Sequence, residues 1–207
     1  MQKLLLWAGA GLLLGASQPA QAQYRGRGGN VSLGLKVGGT LTSFVGADTK
    51  NAAGNTIYDY RFGFLAGGFV NIGFARLFAF QPEILYSQKG AKDDKDQGAR
   101  LQYIDVPLAF HLNTDGFFFE AGPQVGFLTS ARYQSGSASV SVIDGYKTVD
   151  FGYLAGLGYQ LKHGPGVGLR YNGAFTNFPN STTSGSTTFQ PRARNSAFQL
   201  YATYSFN

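Results

Sequence analysis

From Val31 to the C-terminus the chain repeats one pattern. Apolar and polar residues alternate with a period of two in eight segments, at about residues 31 to 44, 62 to 72, 77 to 89, 101 to 112, 117 to 133, 148 to 162, 166 to 178 and 195 to 207. That period belongs to a β-strand, whose successive side chains point to opposite faces. No window carries the 3.6-residue stripe of an amphipathic helix. Each segment reaches the roughly 9 to 11 residues with which a tilted strand crosses a bilayer, and most exceed the five or so of an ordinary globular strand.

The connections sort by length. Segments two and three, four and five, and six and seven are joined by the tight turns GFAR (73 to 76), NTDG (113 to 116) and KHGP (162 to 165). The other four connections, 45 to 61, 90 to 100, 134 to 147 and 179 to 194, are longer and polar. Short turns at one end and long loops at the other are the mark of an outer-membrane barrel, with the short turns in the periplasm and the loops outside the cell. A soluble β-sandwich has no reason to sort its loops this way. The pattern therefore predicts an all-β fold: an eight-stranded antiparallel transmembrane β-barrel.

Composition and the first residues agree with a chain that leaves the cytoplasm. Charged residues make up 14% of the sequence, against about 25% in soluble domains. Lys3, the apolar run 4 to 15 and Ala20-Gln21-Ala22 form the three parts of an export signal. Residues 1–22 are therefore expected to be a signal peptide and 23–30 (QYRGRGGN) a flexible lead-in, with the barrel domain over 31–207. Zero cysteines exclude disulfides, a lipid-anchored N-terminal cysteine and thiolate metal sites. A formal charge of +6, without basic clusters beyond Arg25 and Arg27, gives no footprint for nucleic acid.

Parity assigns the faces. In the last segment Phe198, Leu200, Ala202, Tyr204 and Phe206 alternate with Gln199, Thr203 and Ser205, so the apolar row faces lipid and the polar row the lumen. The same rule places Lys36, Glu83, Lys89, Asp105, Glu120, Arg132, Asp150 and Arg170 in the lumen, four cations and four anions. Facing lipid near the midplane, a basic side chain would cost about 2 to 4 kcal/mol. These residues are read as a structural charge network, with Arg132 and Asp150 paired near the outside. Gly34, Gly38, Gly122, Gly126, Gly152, Gly156, Gly158, Gly166 and Gly168 share the lumen parity, leaving room in a bore that side chains just fill. Segment two fits least well, because Leu65 and Phe69 oppose Phe64 and Val70; a bulge at Gly67-Gly68 is expected to switch its parity. Bulges are likewise expected at Pro82, Pro107 and Pro123, since proline removes a ladder donor. Phe44, Phe62, Phe78, Phe117, Tyr133, Phe178 and Phe206 lie near segment ends and suit interfacial aromatic girdles.

Several stretches, GLKVGGTLTSF (34 to 44), RFGFLAGGFVNI (61 to 72), FAFQPEILYSQKGAK (78 to 92), LQYIDVPLAFHLN (101 to 113), FFEAGPQVGFL (118 to 128) and LYATYSFN (200 to 207), resemble the PorT-like outer-membrane β-barrel family. QPEILYSQKG and YIDVPL are the most specific. The resemblance covers almost all of the chain after residue 22 and implies an eight-stranded barrel like the small OmpX and OmpA-type barrels, with no catalytic motif. The family's namesake is linked to protein secretion. Outer-membrane chains commonly end on an aromatic residue, whereas here Asn207 follows Phe206; the intact alternation of the last strand still offers the barrel-assembly machinery its substrate.

The expected function is that of a monomeric outer-membrane protein with a filled, salt-bridged lumen, in contact with lipid and acting structurally or through loops that hold an extracellular ligand. A narrow porin-like channel and an accessory of protein secretion are the alternatives. A lipid-modifying enzyme ranks below both: His111 and His163 have no neighbouring serine and acid that form a triad, so no catalytic residue is assigned. No cofactor is implied, and Asp93, Asp94 and Asp96 lack the full spacing of a calcium loop.

Overall fold

The computed structural model describes residues 31–206 except 52, 94–96, 137, 162–163 and 185–186. The expected signal peptide and lead-in, His163, Asp94, Asp96 and Asn207 lie outside the described residues.

The strands are β1 (Val31–Val45), β2 (Asp59–Gly73), β3 (Phe78–Lys92), β4 (Gly98–Thr114), β5 (Phe117–Ser135), β6 (Ala138–Ser141), β7 (Val149–Gln160), β8 (Gly164–Ala174), β9 (Thr182–Ser184), β10 (Thr187–Phe189) and β11 (Arg194–Phe206). Eight of them close a barrel in the order β1-β2-β3-β4-β5-β7-β8-β11, each antiparallel to the next, and β11 returns to pair with β1. Closure leaves no free edge and pairs the backbone polar groups within the wall, which hydrocarbon demands. At the short-turn end, Asp115 (φ 45°) and Gly116 (φ 93°) make a two-residue link between β4 and β5, the positive-φ turn that Asp-Gly favours.

The long-loop end is more ordered than its polar composition suggests. β4 and β5 span 17 and 19 residues, more than a bilayer needs, so this side of the wall rises beyond the apolar band. There β6 folds back on β5 and pairs with Arg132–Ser135, while β9 and β10 form a separate hairpin.

Outside, Leu33, Leu35, Val37, Ile84, Phe110, Phe119, Phe151, Leu157, Val167, Leu200 and Tyr204 are exposed and form the apolar belt. Inside, buried apolar side chains form two clusters beside the polar core. Leu65, Leu85, Phe118 and Tyr201 form one, and Phe44, Leu101, Tyr103, Leu128, Ala131 and Phe178 belong to the other, nearer the loops.

Three expectations are corrected. No bulge occurs at Gly67-Gly68: β2 keeps one register against β1 from Arg61 to Ile72. Leu65 and Phe69 simply point inward and are buried. Phe69 fits because glycine faces it; a Cβ at Gly34 would lie 2.2 Å from its ring. The irregularity of β2 falls instead between Tyr60 and Leu65. The prolines are accommodated without bulges as well. Between β3 and β4 the register is the same at Pro82↔Leu108 and Leu85↔Asp105, and between β4 and β5 it is the same at Pro107↔Gln124 and Phe110↔Ala121. The ladder loses bonds locally, and flanking pairs hold the register. Third, Phe44 and Phe178 leave the girdle. Both are buried in the mouth of the barrel, with ring centroids 4.5 Å apart; Tyr133 leaves the girdle with them and lines the loop cavity, while Phe62, Phe78, Phe117 and Phe206 face outward as expected.

Glycine at lumen positions is a packing requirement here. A Cβ on Gly168 would stand 2.4 Å from the ring and hydroxyl of Tyr201. Overpacking a dense core costs about 1 to 3 kcal/mol. Gly168→Val should therefore lower the urea midpoint of the folded barrel while Val167→Leu, on the lipid face, leaves it in place; equal midpoints for both variants would remove the packing claim.

Candidate functional site

The centre of the lumen is occupied by side chains from six strands. Arg170 enters from β8 and meets Glu83 of β3 in a fork: Nη1 donates to Oε2 at 2.9 Å and Nη2 to Oε1 at 2.8 Å. Its Nε donates to Glu120 Oε1 of β5 at 2.8 Å, and Nη2 also donates to Glu120 Oε2 at 2.6 Å. Lys36 of β1 donates to Glu83 Oε1 at 2.6 Å, with its Nζ 4.0 Å above the ring of Tyr201 from β11. The Tyr201 hydroxyl donates to Glu120 Oε1 at 2.8 Å. Gln81 Nε2 reaches Glu83 Oε1 at 2.9 Å, and His111 Nε2 lies 3.4 Å from Glu120 Oε2 with its ring stacked on Phe118. Two cations and two anions balance, and Lys36, Glu83 and Arg170 are at most 1% exposed.

Burial of this kind is tolerable only because each charge is partnered and its remaining polar atoms are bonded. Bidentate arginine–carboxylate contacts are the strongest form of such pairing. Glycine provides the space: a Cβ at Gly156 would lie 2.6 Å from Glu120 Oε1.

A second polar layer lies nearer the loops. Lys89 donates to Asp105 Oδ1 at 2.9 Å, Ser87 donates to Asp105 Oδ2 at 2.5 Å, and Lys89 Nζ sits 4.4 Å from the centre of the Tyr103 ring. Asn195 Nδ2 donates to Asp150 Oδ2 at 2.9 Å and to the Tyr103 hydroxyl at 3.3 Å, and Asn172 Nδ2 donates to Gln124 Oε1.

The eight charged positions expected in one network thus divide. Lys36, Glu83, Glu120 and Arg170 form the central cluster, while Lys89, Asp105 and Asp150 belong to the second layer. Arg132 is excluded from both and does not pair with Asp150; its side chain is exposed. The cause is a bulge: Ser130 pairs with Gln102 but Leu128 with Tyr103, so Thr129 has no partner on β4. Its hydroxyl donates to the Gln102 carbonyl at 3.0 Å. One extra residue inverts the parity of everything beyond it, turning Ala131 inward and Arg132 outward. Tyr201 escaped the sequence reading although it shares the parity of Gln199 and Thr203. Asn172, Asn195 and Gln124 share lumen parity too, but neutral side chains carry no signal that separates a network member from filler.

Cavities flank the filled centre. One of about 330 Å³ opens at the short-turn end, lined by residues that include Asn71, His111, Asn113, Gln160 and Thr203. Another, of about 620 Å³, lies among the loops, where Tyr58, Tyr133, Tyr146 and Phe178 share the lining with Asp48 and Gln97. The Phe178 ring stacks on Tyr146 at 5.4 Å. Burial pushes the Tyr146 hydroxyl above its ordinary pKa, so it stays neutral and able to donate.

Residues 18–180 match the family described as outer membrane protein beta-barrel domain, and the chain belongs to that family. Among solved structures it is similar to neisserial surface protein A, at 14% identity and a TM-score of 0.53, over 86% of this chain and 99% of that one. Similarity to Ail, the attachment invasion locus protein of Yersinia pestis, solved with the heparin analogue sucrose octasulfate, covers 86% of this chain and 99% of the other, at 13% identity and a TM-score of 0.50. OprG from Pseudomonas aeruginosa follows at 12% identity, 87% and 98% coverage and a TM-score of 0.48. The first two likenesses are likenesses of fold. No curated protein matches the chain.

Removing one carboxylate from the centre leaves Lys36 and Arg170 with Glu120 alone. Breaking a buried pair in this way costs about 3 to 5 kcal/mol. Glu83→Gln should therefore lower the urea midpoint of the detergent-folded protein substantially without changing its delivery to the membrane, and Arg132→Gln should do neither. An unchanged midpoint for Glu83→Gln would sink the network.

Proposed function

We propose that this chain is a monomeric outer-membrane barrel whose lumen is closed and whose work is done at the cell surface, by the cup its long loops build. The observation that carries the reading is the central cluster: Lys36, Glu83, Glu120 and Arg170, drawn from four strands, are joined across the bore by Lys36–Glu83, Arg170–Glu83 and Arg170–Glu120 contacts of 2.6 to 2.9 Å. A path for water or ions has to pass through those contacts. The loop cavity supplies the complementary half. Its aromatic and polar lining suits contact with a saccharide or protein surface, since aromatic side chains offer large rigid contact area at little entropic cost.

In this reading residues 1–22 direct export, β11 is the element the assembly machinery engages, and lipid covers the apolar belt. Ail's name, attachment invasion locus protein, describes a surface role in a barrel of similar fold; no specificity for this chain follows from it. A part in protein secretion rests on the PorT-like resemblance of QPEILYSQKG and YIDVPL alone. The second reading is a narrow channel, favoured by polar cavities on both sides of the cluster, which a displaced plug would join.

Two measurements test the proposal. After fractionation, the protein should be found in the outer membrane and run faster on a gel unheated than boiled; absence of that shift would contradict a closed barrel. In planar bilayers it should give no stable unitary conductance at modest voltage. Stable unitary steps would replace the closed-lumen reading with the channel.

A further inference from the structure

The second polar layer holds a set of oxygens that the protein leaves without donors. Asp150 Oδ1, Asn172 Oδ1 and Asn195 Oδ1 are all buried, and none has a hydrogen-bond partner among the described residues. The parent side chains are each 5% exposed. All three residues line one small cavity of about 10 Å³, together with Lys89, Gln124 and Ser196. The orientation of Asn195 is set by its own donor group, which is spent on Asp150 Oδ2 and the Tyr103 hydroxyl. A flipped amide would put two acceptors against each other. Asn172 Nδ2 donates to Gln124 Oε1.

Buried acceptors without donors are rare and each carries a desolvation cost. The charge of the layer is also unbalanced. Lys89 is bonded to Asp105, and Asp150 adds a second carboxylate, so with Asp150 ionised the group Lys89, Asp105 and Asp150 sums to minus one. What is missing is therefore positive, compact and bound through oxygen. A water molecule has two hydrogens for three oxygens and brings no charge. The cavity volume suits a single atom or water, and carboxylate and amide oxygens are the ligands that hard cations take.

We propose that the upper lumen binds one small monovalent cation of sodium size, held by Asp150 Oδ1, Asn172 Oδ1 and Asn195 Oδ1. One positive charge brings the layer to neutrality. Among the described residues no group of three or more His, Cys, Asp or Glu could hold a metal ion; this site has a different make-up, with one carboxylate and two amides, which suits a monovalent ion better than a divalent one. Bound there, the ion ties β7, β8 and β11 together just above the central cluster. The site does not depend on whether the barrel conducts, and its test reads stability instead of current.

The test uses the full barrel folded in detergent. Its urea midpoint is measured in sodium chloride and in choline chloride at equal ionic strength, so that screening is the same in both. Sodium should raise the midpoint saturably, and choline, too large for the cavity, should not. Asp150→Asn should abolish the difference, while Asp144→Asn, in the loop outside the cavity, should keep it. Should Asp150→Asn fail to fold, Asn172→Asp serves instead: a second carboxylate should shift the preference so that calcium chloride stabilises where it did not before. Equal midpoints in sodium and choline for the native chain would overturn the site and assign the oxygens to water. A sodium effect that survives in a folded Asp150→Asn variant would overturn it too, as would an Asn172→Asp variant indifferent to calcium.

Discussion

Arg170 is fully buried in the middle of a membrane-spanning barrel, and the structure around it follows from making that charge tolerable. Its guanidinium needs two carboxylates, and these come from β3 and β5, on other sides of the bore. Those carboxylates need further donors, which Lys36, Gln81 and Tyr201 provide. Each added group needs space, which the narrow bore of eight strands has only where a strand gives up a side chain. Gly156 beside Glu120, Gly168 beside Tyr201 and Gly126 beside Asp105 are where it does so. The high glycine content and the buried charges are two halves of one packing solution.

Buried ion pairs are weak evidence of net stability, because apolar residues of similar volume often do as well. Their stronger effect here is on register. Sliding any one of β1, β3, β5 or β8 by a single residue would send its charge to the lipid face. For arginine or lysine that costs about 2 to 4 kcal/mol near the midplane, in addition to the loss of the contacts within. The prolines can then be understood: Pro82, Pro107 and Pro123 weaken the ladder close to Glu83, Asp105 and Glu120, and register survives at those points with flanking pairs and the lumen charges holding it.

Much of this was legible in the sequence, because a barrel wall writes its geometry into a period of two. Strand number, loop sorting and the lumen placement of Lys36, Glu83, Glu120 and Arg170 all follow from parity. Parity fails where the count of residues changes, and nothing marks that change locally. Thr129 resembles its neighbours, yet its missing partner turns Arg132 outward. Gly67-Gly68 is the opposite case: large apolar residues at lumen positions look like a break in pattern, whereas Leu65 and Phe69 are lumen filler, with Phe69 lying over Gly34. Phe44 and Phe178 show the remaining limit, since an aromatic residue at a strand end reads the same whether it meets lipid or closes the mouth.

Electrostatics also bears on whether the centre can be opened. A transmembrane voltage acts on charge, at about 2.3 kcal/mol per elementary charge for 100 mV across the full membrane. The central cluster carries no net charge, so a field that pulls Lys36 and Arg170 one way pushes Glu83 and Glu120 the other, and the net force on the plug is close to nil. Separating the members instead means breaking buried pairs at about 3 to 5 kcal/mol each, more than such a field supplies to any one of them. Neutrality thus makes the plug insensitive to voltage, while its pairing makes it resistant to thermal opening.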